Sequence, residues 1–504
     1  MSRAPSITGR VFVAVALLVG FYVLALGIAA GLFYIPYAEW KFVHRIHPKL
    51  ALVCVGGGLI VLWSALPRWD RFVAPGPRLK REQQPKLFDE LESVAKATGQ
   101  AMPSEVYLVG EVNAWVAQRG GVLGFGSRRV MGLGLPLLRV LSRAEMRGVL
   151  AHEFGHFHGG DTKLGPLIYR TRSAIERTVV AMAQADASLL QTPFRWYGKL
   201  FLRSTHAISR RQELAADALA ARVAGAHALI GGLRTTRGAA QAFQSFWRNE
   251  CSPVLEAVFL PPLSEGFASF LGTKGVAEAV ERIVSEDIER AEKNPYDTHP
   301  PLAERIVALE EAESAGASAT RASQTADAAP ALSLLKDVPE LEAAWLQAAF
   351  PSGDVNKLER VGWTDVGRVV YLPEWKRRLG AQAKAFAGMK GIELHARLSA
   401  RDEFVRSLDT KGVPSEHLQT FAIMVGEAAL GLALRERGAT IEALPGLAIT
   451  LRSGAETLEP GTLACALADG KMPADEWRTF CERHGIADVD LGALAERAGS
   501  PPSS

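Results

Sequence analysis

Two stretches near the N-terminus carry no charge: residues 11–35, VFVAVALLVGFYVLALGIAAGLFYI, and residues 50–67, LALVCVGGGLIVLWSALP. At ~1.5 Å per residue the first makes about 37 Å of helix, enough to cross a hydrocarbon core of ~30 Å. A secretory signal peptide is the competing reading, but its apolar part runs only about 7–15 residues. The second stretch is shorter and glycine-rich. It completes a hairpin of two spanning helices, with a buried core helix as its alternative. Together they predict a membrane anchor over residues 1–72, with spans at about 11–35 and 50–67.

The pattern then changes. VAPGPRLKREQQ at 73–84 reads as a polar linker. KLFDELESVAKATG has helical spacing, with Gly99 as a stop. EVYLVG, NAWVAQ and SRRVMGLG are short β-prone runs broken by glycines. GGVLGFG at 120–126 lacks the GK[ST] ending of a phosphate loop and predicts a mobile hairpin loop. From Ser142 the chain turns helical, Ser142 and Glu145 forming a capping box. Residues 162–206 are amphipathic and include PFRWYGKLFLR. They read either as helix on a membrane surface or as helix buried against a core. No later uncharged run reaches ~18 residues, so no third span is expected.

The Ala/Ser/Thr-rich segment around 311–332 predicts a flexible linker. It would separate a domain over 85–310 from an α+β domain over 333–504. In the latter, LQTFAIMVGEAALGLALRERG and ADEWRTFCERHG predict helices, and GLAITLRSG and GTLACALADG predict strands.

Charge and cysteine usage narrow the partners. A net charge of +3 over 504 residues does not suggest nucleic acid. Cys54, Cys251, Cys465 and Cys481 form no CxxC pair, which fits neither a disulfide framework nor a thiolate metal site. Arg3 and Arg10 precede the first apolar stretch, and six Arg or Lys residues between Arg68 and Lys86 follow the second. They outweigh Lys41, Arg45 and Lys49 in the connecting loop. Basic flanks stay on the cytoplasmic side, so both ends should face the cytoplasm.

The chemistry concentrates in VLAHEFGHFHGGD at 149–161. His152 and His156 are four apart, which puts both imidazoles on one helical face. Such a pair suits Zn²⁺ with one position left for water, and Glu153 would serve as general base. Leu150, Phe154 and Phe157 frame the motif as a buried helix requires. His158 would point away from the metal. Gly159 and Gly160 would stop the helix, and Asp161 would be a turn residue or lie behind a ligand. Downstream, SRRQELAADALAARVAG at 209–225 puts Glu213 and Asp217 on one face. Glu213 can supply the third ligand, and Asp217 can hold the second nitrogen of a ligating histidine. The alternative is a pair of solvated acids.

HEFGH followed by SRRQELAAD resembles the membrane zinc metallopeptidases that include HtpX and the CAAX prenyl endopeptidases. VNAWV at 112–116 resembles the family's strand ahead of the motif. DTHPPLAERI at 297–306 resembles the segment that closes its catalytic domain. The resemblance covers about 85–310. It implies a mainly helical, α+β zincin-like fold of the gluzincin type, with one Zn²⁺ per chain held by His152, His156 and Glu213, and with Glu153 as base. A substrate strand would lie along Asn113, Ala114 and Trp115. His299 is the candidate second donor to the oxyanion, a structural histidine before two prolines being the other reading. Family members usually carry a second hydrophobic pair between the two zinc motifs, where this chain has only 162–206.

These observations predict a zinc endopeptidase, multi-pass in the cell (inner) membrane and facing the cytoplasm. Its partners would be the lipid bilayer and protein or peptide substrates, membrane or misfolded proteins among them. Residues 333–504 are a candidate surface for a protein partner. The alternative is a scaffold with an idle zinc domain.

Overall fold

The computed structural model describes residues 7–66, 72–120, 127–157, 164–185, 188–290, 300–314 and 327–500. The chain is mainly helical and divides into two compact units: residues 1–240 with 281–350, and residues 241–280 with 351–504.

In the first unit, α1 (Ile7–Ala38) and α2 (Pro48–Ala65) form the expected apolar hairpin. Both are long and apolar enough to cross a membrane. Strands β1 (Arg78–Leu79), β2 (Glu105–Val109), β3 (Ala114–Arg119) and β4 (Arg128–Gly134) form one sheet in the order β1-β2-β4-β3. β2 runs parallel to β4, and β3 antiparallel to it. This leaves β3 as an edge strand, with α5 (Arg143–Gly155) packed against it. α3 (Pro85–Thr98) ends at Gly99, whose φ of 68° is the left-handed cap that glycine adopts without strain. A short α4 (Leu135–Val140) precedes α5, and the Ser142–Glu145 capping box forms as the sequence predicts.

α6 (Leu164–Gln184) and α7 (Ser188–Ala224) do not lie apart from the apolar hairpin. Phe194 and Phe201 of α7 and Ile175 and Met182 of α6 share one buried cluster with Phe21 of α1 and Val61 of α2. Ser64 Oγ donates to Thr178 Oγ1, and Tyr197 Oη donates to the Leu17 carbonyl. α6 and the first half of α7 are therefore half of a four-helix bundle. Their amphipathic pattern has an apolar face that α1 and α2 cover. α8 (Ala226–Phe246) follows.

Several expected boundaries shift. Residues 73–84 are not a free linker: β1 extends the sheet, Leu79 is buried, and Gln84 exchanges two hydrogen bonds with the backbone of Lys336. Residues 327–350, expected to begin in a linker and open the C-terminal domain, belong to the first unit. There Ala331 N–H donates to the Leu141 carbonyl. A Cβ on Gly110 would lie 1.9 Å from the Trp345 indole, so only glycine lets it seat there. The sequence pattern hides this because the polar linker separates the segment from its partner elements.

The second unit likewise joins distant segments. α9 (Ser252–Glu256), β5 (Phe259–Leu260) and α10 (Leu263–Gly272) come from 241–280. β5 pairs in parallel with β6 (Glu359–Arg360), and Trp363 packs over Gly266 while its indole donates to the Pro262 carbonyl. α11 (Lys274–Arg290) leads back to the first unit. β7 (Thr440–Glu442), β8 (Thr450–Ser453) and β9 (Glu456–Leu458) form an antiparallel sheet. The helix Leu418–Glu436 is apolar enough to span a membrane, yet its residues fill the core of this unit. GTLACALADG, expected as a strand, is the helix Pro460–Ala468. Pro460 sits in its first turn, and Ala464 and Leu467, three apart, are buried as a helical face. No disulfide joins the four cysteines.

Candidate metal centre

α5 presents His152 and His156 on one face, and α7 presents Glu213 and Asp217 on the facing side. The ligand atoms of His152, His156 and Glu213 all lie within 4.8 Å of one another. His152 Nε2 is 3.5 Å from Glu213 Oε2, and His156 Nε2 is 3.6 Å from Glu213 Oε1. A tetrahedral zinc with nitrogen and oxygen ligands at ~2.0–2.2 Å sets its ligands roughly 3.3–3.5 Å apart. The three groups thus stand close to the edge lengths that a single ion requires. The two imidazoles meet edge-on, their planes 82° apart, so each can aim a nitrogen at a common point.

Behind His152 stands a second layer. Its Nδ1 lies 2.8 Å from Asp217 Oδ1. An ionised carboxylate only accepts, so Nδ1 carries the proton and Nε2 faces Glu213. Asp217 is gripped in turn by Arg305: Nε donates to Oδ2 at 2.8 Å and Nη2 to Oδ1 at 2.6 Å. All three residues are buried. Burial opposes the charged imidazolium of His152, but the hydrogen bonds to Asp217 and Glu213 outweigh it and push the pKa up to about 9. Negative charge thus faces the imidazole from both sides, Asp217 at Nδ1 and Glu213 at Nε2. For Asp217 burial again acts against the charge, and the Arg305 fork, then His152, prevails and holds the carboxyl below its usual range.

Arg305 sits on α12 (Leu302–Ala312), which a further ion pair, Arg210 to Glu304, ties to α7. Sequence reasoning placed Arg305 within DTHPPLAERI but gave it no role. The available signal was a lone arginine on an otherwise apolar helical face, Leu302, Arg305 and Leu309 all being buried.

Other predicted residues divide. Glu153 is half-buried, and its charge acts on both His152 and Arg305. Asn113 is exposed, and its carbonyl accepts from Gly134 N–H. Ala114 is buried, and Trp115 lays its indole over Gly132 of β4. α5 ends at Gly155 with His156 as its cap, earlier than the expected stop at Gly159 and Gly160. His158, Gly159, Gly160, Asp161, most of GGVLGFG and His299 lie outside the described residues.

Comparison with known proteins finds one family. Residues 81–313 match peptidase family M48. The chain is 26% identical over 286 residues to a protease HtpX homolog of Chlorobium phaeovibrioides, covering 52% of this chain and 84% of that one. It is 26% identical over 284 residues to protease HtpX of Idiomarina loihiensis, with the same shares of 52% and 84%. A protease HtpX homolog of Chlorobium luteolum is 25% identical over 286 residues, again 52% and 84%. No solved structure matches the chain.

Proposed function

Because residues 81–313 carry a metallopeptidase domain of family M48, we propose that this chain is a membrane-anchored, zinc-dependent endopeptidase with a gluzincin-type centre. The observation that carries this reading is the convergence of His152, His156 and Glu213 within 4.8 Å. A bound zinc would supply Lewis-acid polarisation of the scissile carbonyl and a water of lowered pKa. Glu153, next to His152, takes the proton of the attacking water and passes it to the leaving amine. Asp217 fixes the His152 tautomer and ring direction, and Arg305 keeps Asp217 ionised. An extended substrate pairs with the open edge of β3, whose main-chain groups supply the hydrogen bonds of strand addition.

The anchor reading rests on α1 and α2, whose outward side chains are apolar, Phe12, Leu52, Val53 and Trp63 among them. Tyr34 and Tyr37 at the far end of α1, and Trp40 and Phe42 in the turn Glu39–Val43 just beyond it, are exposed, as an aromatic belt at a membrane surface would be. With the basic flanks, this favours a multi-pass protein of the inner membrane whose peptidase domain faces the cytoplasm and acts on membrane or misfolded proteins.

The test compares the wild type with Glu153→Gln in detergent. Both should bind one zinc per chain, and the variant should cleave an unfolded protein at least ~10²-fold more slowly. Equal cleavage by the two, or zinc binding without cleavage across a broad panel, rejects the peptidase reading in favour of a scaffold.

A further inference from the structure

A groove of about 870 Å³ runs between α2 and α6, remote from the metal centre in sequence and lined by neither its ligands nor Glu153. That volume falls in the ~300–1,000 Å³ range of ligand pockets. Its lining is graded along its length. One end carries Trp63, Ser173, Glu176 and Arg177; a helical turn further, the walls are Leu59, Ile60, Val180 and Ala181, with Gln184 a turn beyond them.

The grading matches the depth of a bilayer leaflet. α2 has 18 residues, about 27 Å of helix, close to the ~30 Å hydrocarbon thickness. Its last turn, with Trp63 and Ser64, then reaches the headgroup level on the side where the chain continues into the peptidase domain. Trp63 is 69% exposed, the position of an interfacial tryptophan. Leu59 and Ile60 lie about 6 Å deeper. On α6 the residues 173, 176, 177, 180, 181 and 184 fall on one helical face; there Ser173, Glu176 and Arg177 precede Val180 and Ala181, the reverse of the chain order on α2, where Leu59 and Ile60 precede Trp63 and Ser64. The Ser64–Thr178 hydrogen bond closes the floor between the two helices.

A carboxylate and a guanidinium side by side, with apolar walls beneath, complement one kind of bilayer molecule. We infer that the α2–α6 groove binds a phospholipid with a zwitterionic ammonium–phosphate headgroup. Arg177 and the Ser173 hydroxyl meet the phosphate, Glu176 accepts from the primary ammonium, and the Leu59–Val180 end receives an acyl chain. An anionic headgroup lacking the ammonium would leave Glu176 facing a phosphate. This proposal rests on the reading that α1 and α2 span the bilayer.

The experiment uses the full chain, purified in mild detergent doped with equal phosphatidylethanolamine and phosphatidylglycerol, with retained lipid identified by native mass spectrometry. The wild type should retain phosphatidylethanolamine about tenfold over phosphatidylglycerol, the scale of one charge-assisted hydrogen bond. Glu176→Gln should bring that ratio near one, whereas Arg177→Gln, which removes a phosphate contact both lipids share, should lower retention of both while Glu176 keeps the preference. Val180→Trp, which fills the groove from its exposed side, should remove the retained lipid. All three should keep Glu153-dependent cleavage of a soluble unfolded protein and resistance to carbonate extraction. If the wild type is extracted by carbonate, the membrane reading fails and this proposal with it. Should it resist extraction yet retain both lipids equally, or hold a membrane-spanning peptide there in preference to lipid, the proposal alone is overturned.

Discussion

Gly155 and Ala216 mark a close approach of α5 and α7: a Cβ on Gly155 would lie 2.9 Å from Ala216 Cα and 3.0 Å from its Cβ. Real side chains do not tolerate the first distance against backbone. The glycine of HEFGH therefore lets α7 come near enough for Glu213 to meet both imidazoles. Gly155→Val should push the helices apart at a cost of about 1–3 kcal/mol. Chelator competition should show zinc affinity at least about tenfold weaker, while far-UV circular dichroism is unchanged. Undiminished affinity would mean that the helices meet elsewhere.

Arg305 should act mainly through Asp217, although its Nη2 also lies 3.3 Å from His152 Nδ1. Asp217→Asn should lower zinc affinity about 10–100-fold, the usual cost of losing such a partner. Arg305→Met should lower it less, and it should also destabilise the fold by about 3–5 kcal/mol because a buried carboxylate loses its counter-charge. In the double variant the two effects on zinc should not add. Additive effects would mean that its approach to His152, rather than its grip on Asp217, carries its influence.

The segment 327–350 should be part of the peptidase unit although the family match stops at 313. Trp345→Ala, which vacates the seat made by Gly76 and Gly110, should cost about 2 kcal/mol, below the 3–5 of a fully buried tryptophan. Thermal unfolding of the detergent-solubilised protein reads this directly. An unchanged midpoint would make the segment a bystander.

A pH dependence is expected from the second unit. Burial raises the pKa of Glu427, only partly offset by Arg378 and Trp375. The native state then binds this proton more tightly than the unfolded chain does, so stability falls as pH rises from the unfolded pKa through the native one. Glu427→Gln should therefore raise the thermal midpoint near pH 8 and leave it unchanged near about pH 3.5. An equal shift at both would point to packing, not charge.

What the sequence made legible was local. The HExxH spacing, the Ser142–Glu145 cap and the strand at 114–119 each depend on residues within one turn or one pleat of each other. What it concealed depends on contacts between distant segments. Arg305 is buried 88 positions from Asp217, and a charged residue in an unremarkable helix carries no local sign of that. β1 looked like linker because two strand residues beside prolines and glycines have no period to read. Pro460–Ala468 looked like a strand because its small apolar residues fit either period.

The second unit closes only when Trp363 reaches Phe246, Phe267 and Gly266. During synthesis the ribosome must add some 90 residues after Phe270 before Trp363 appears, roughly 5–20 s at ~5–20 residues per second. Over that interval an aromatic surface, encoded after α7 and before Arg305, waits uncovered. The chain therefore depends on timing: His152, Glu153, His156 and Glu213 are translated early, but Arg305 and the 327–350 segment that complete their unit emerge only after the uncovered insertion has left the ribosome.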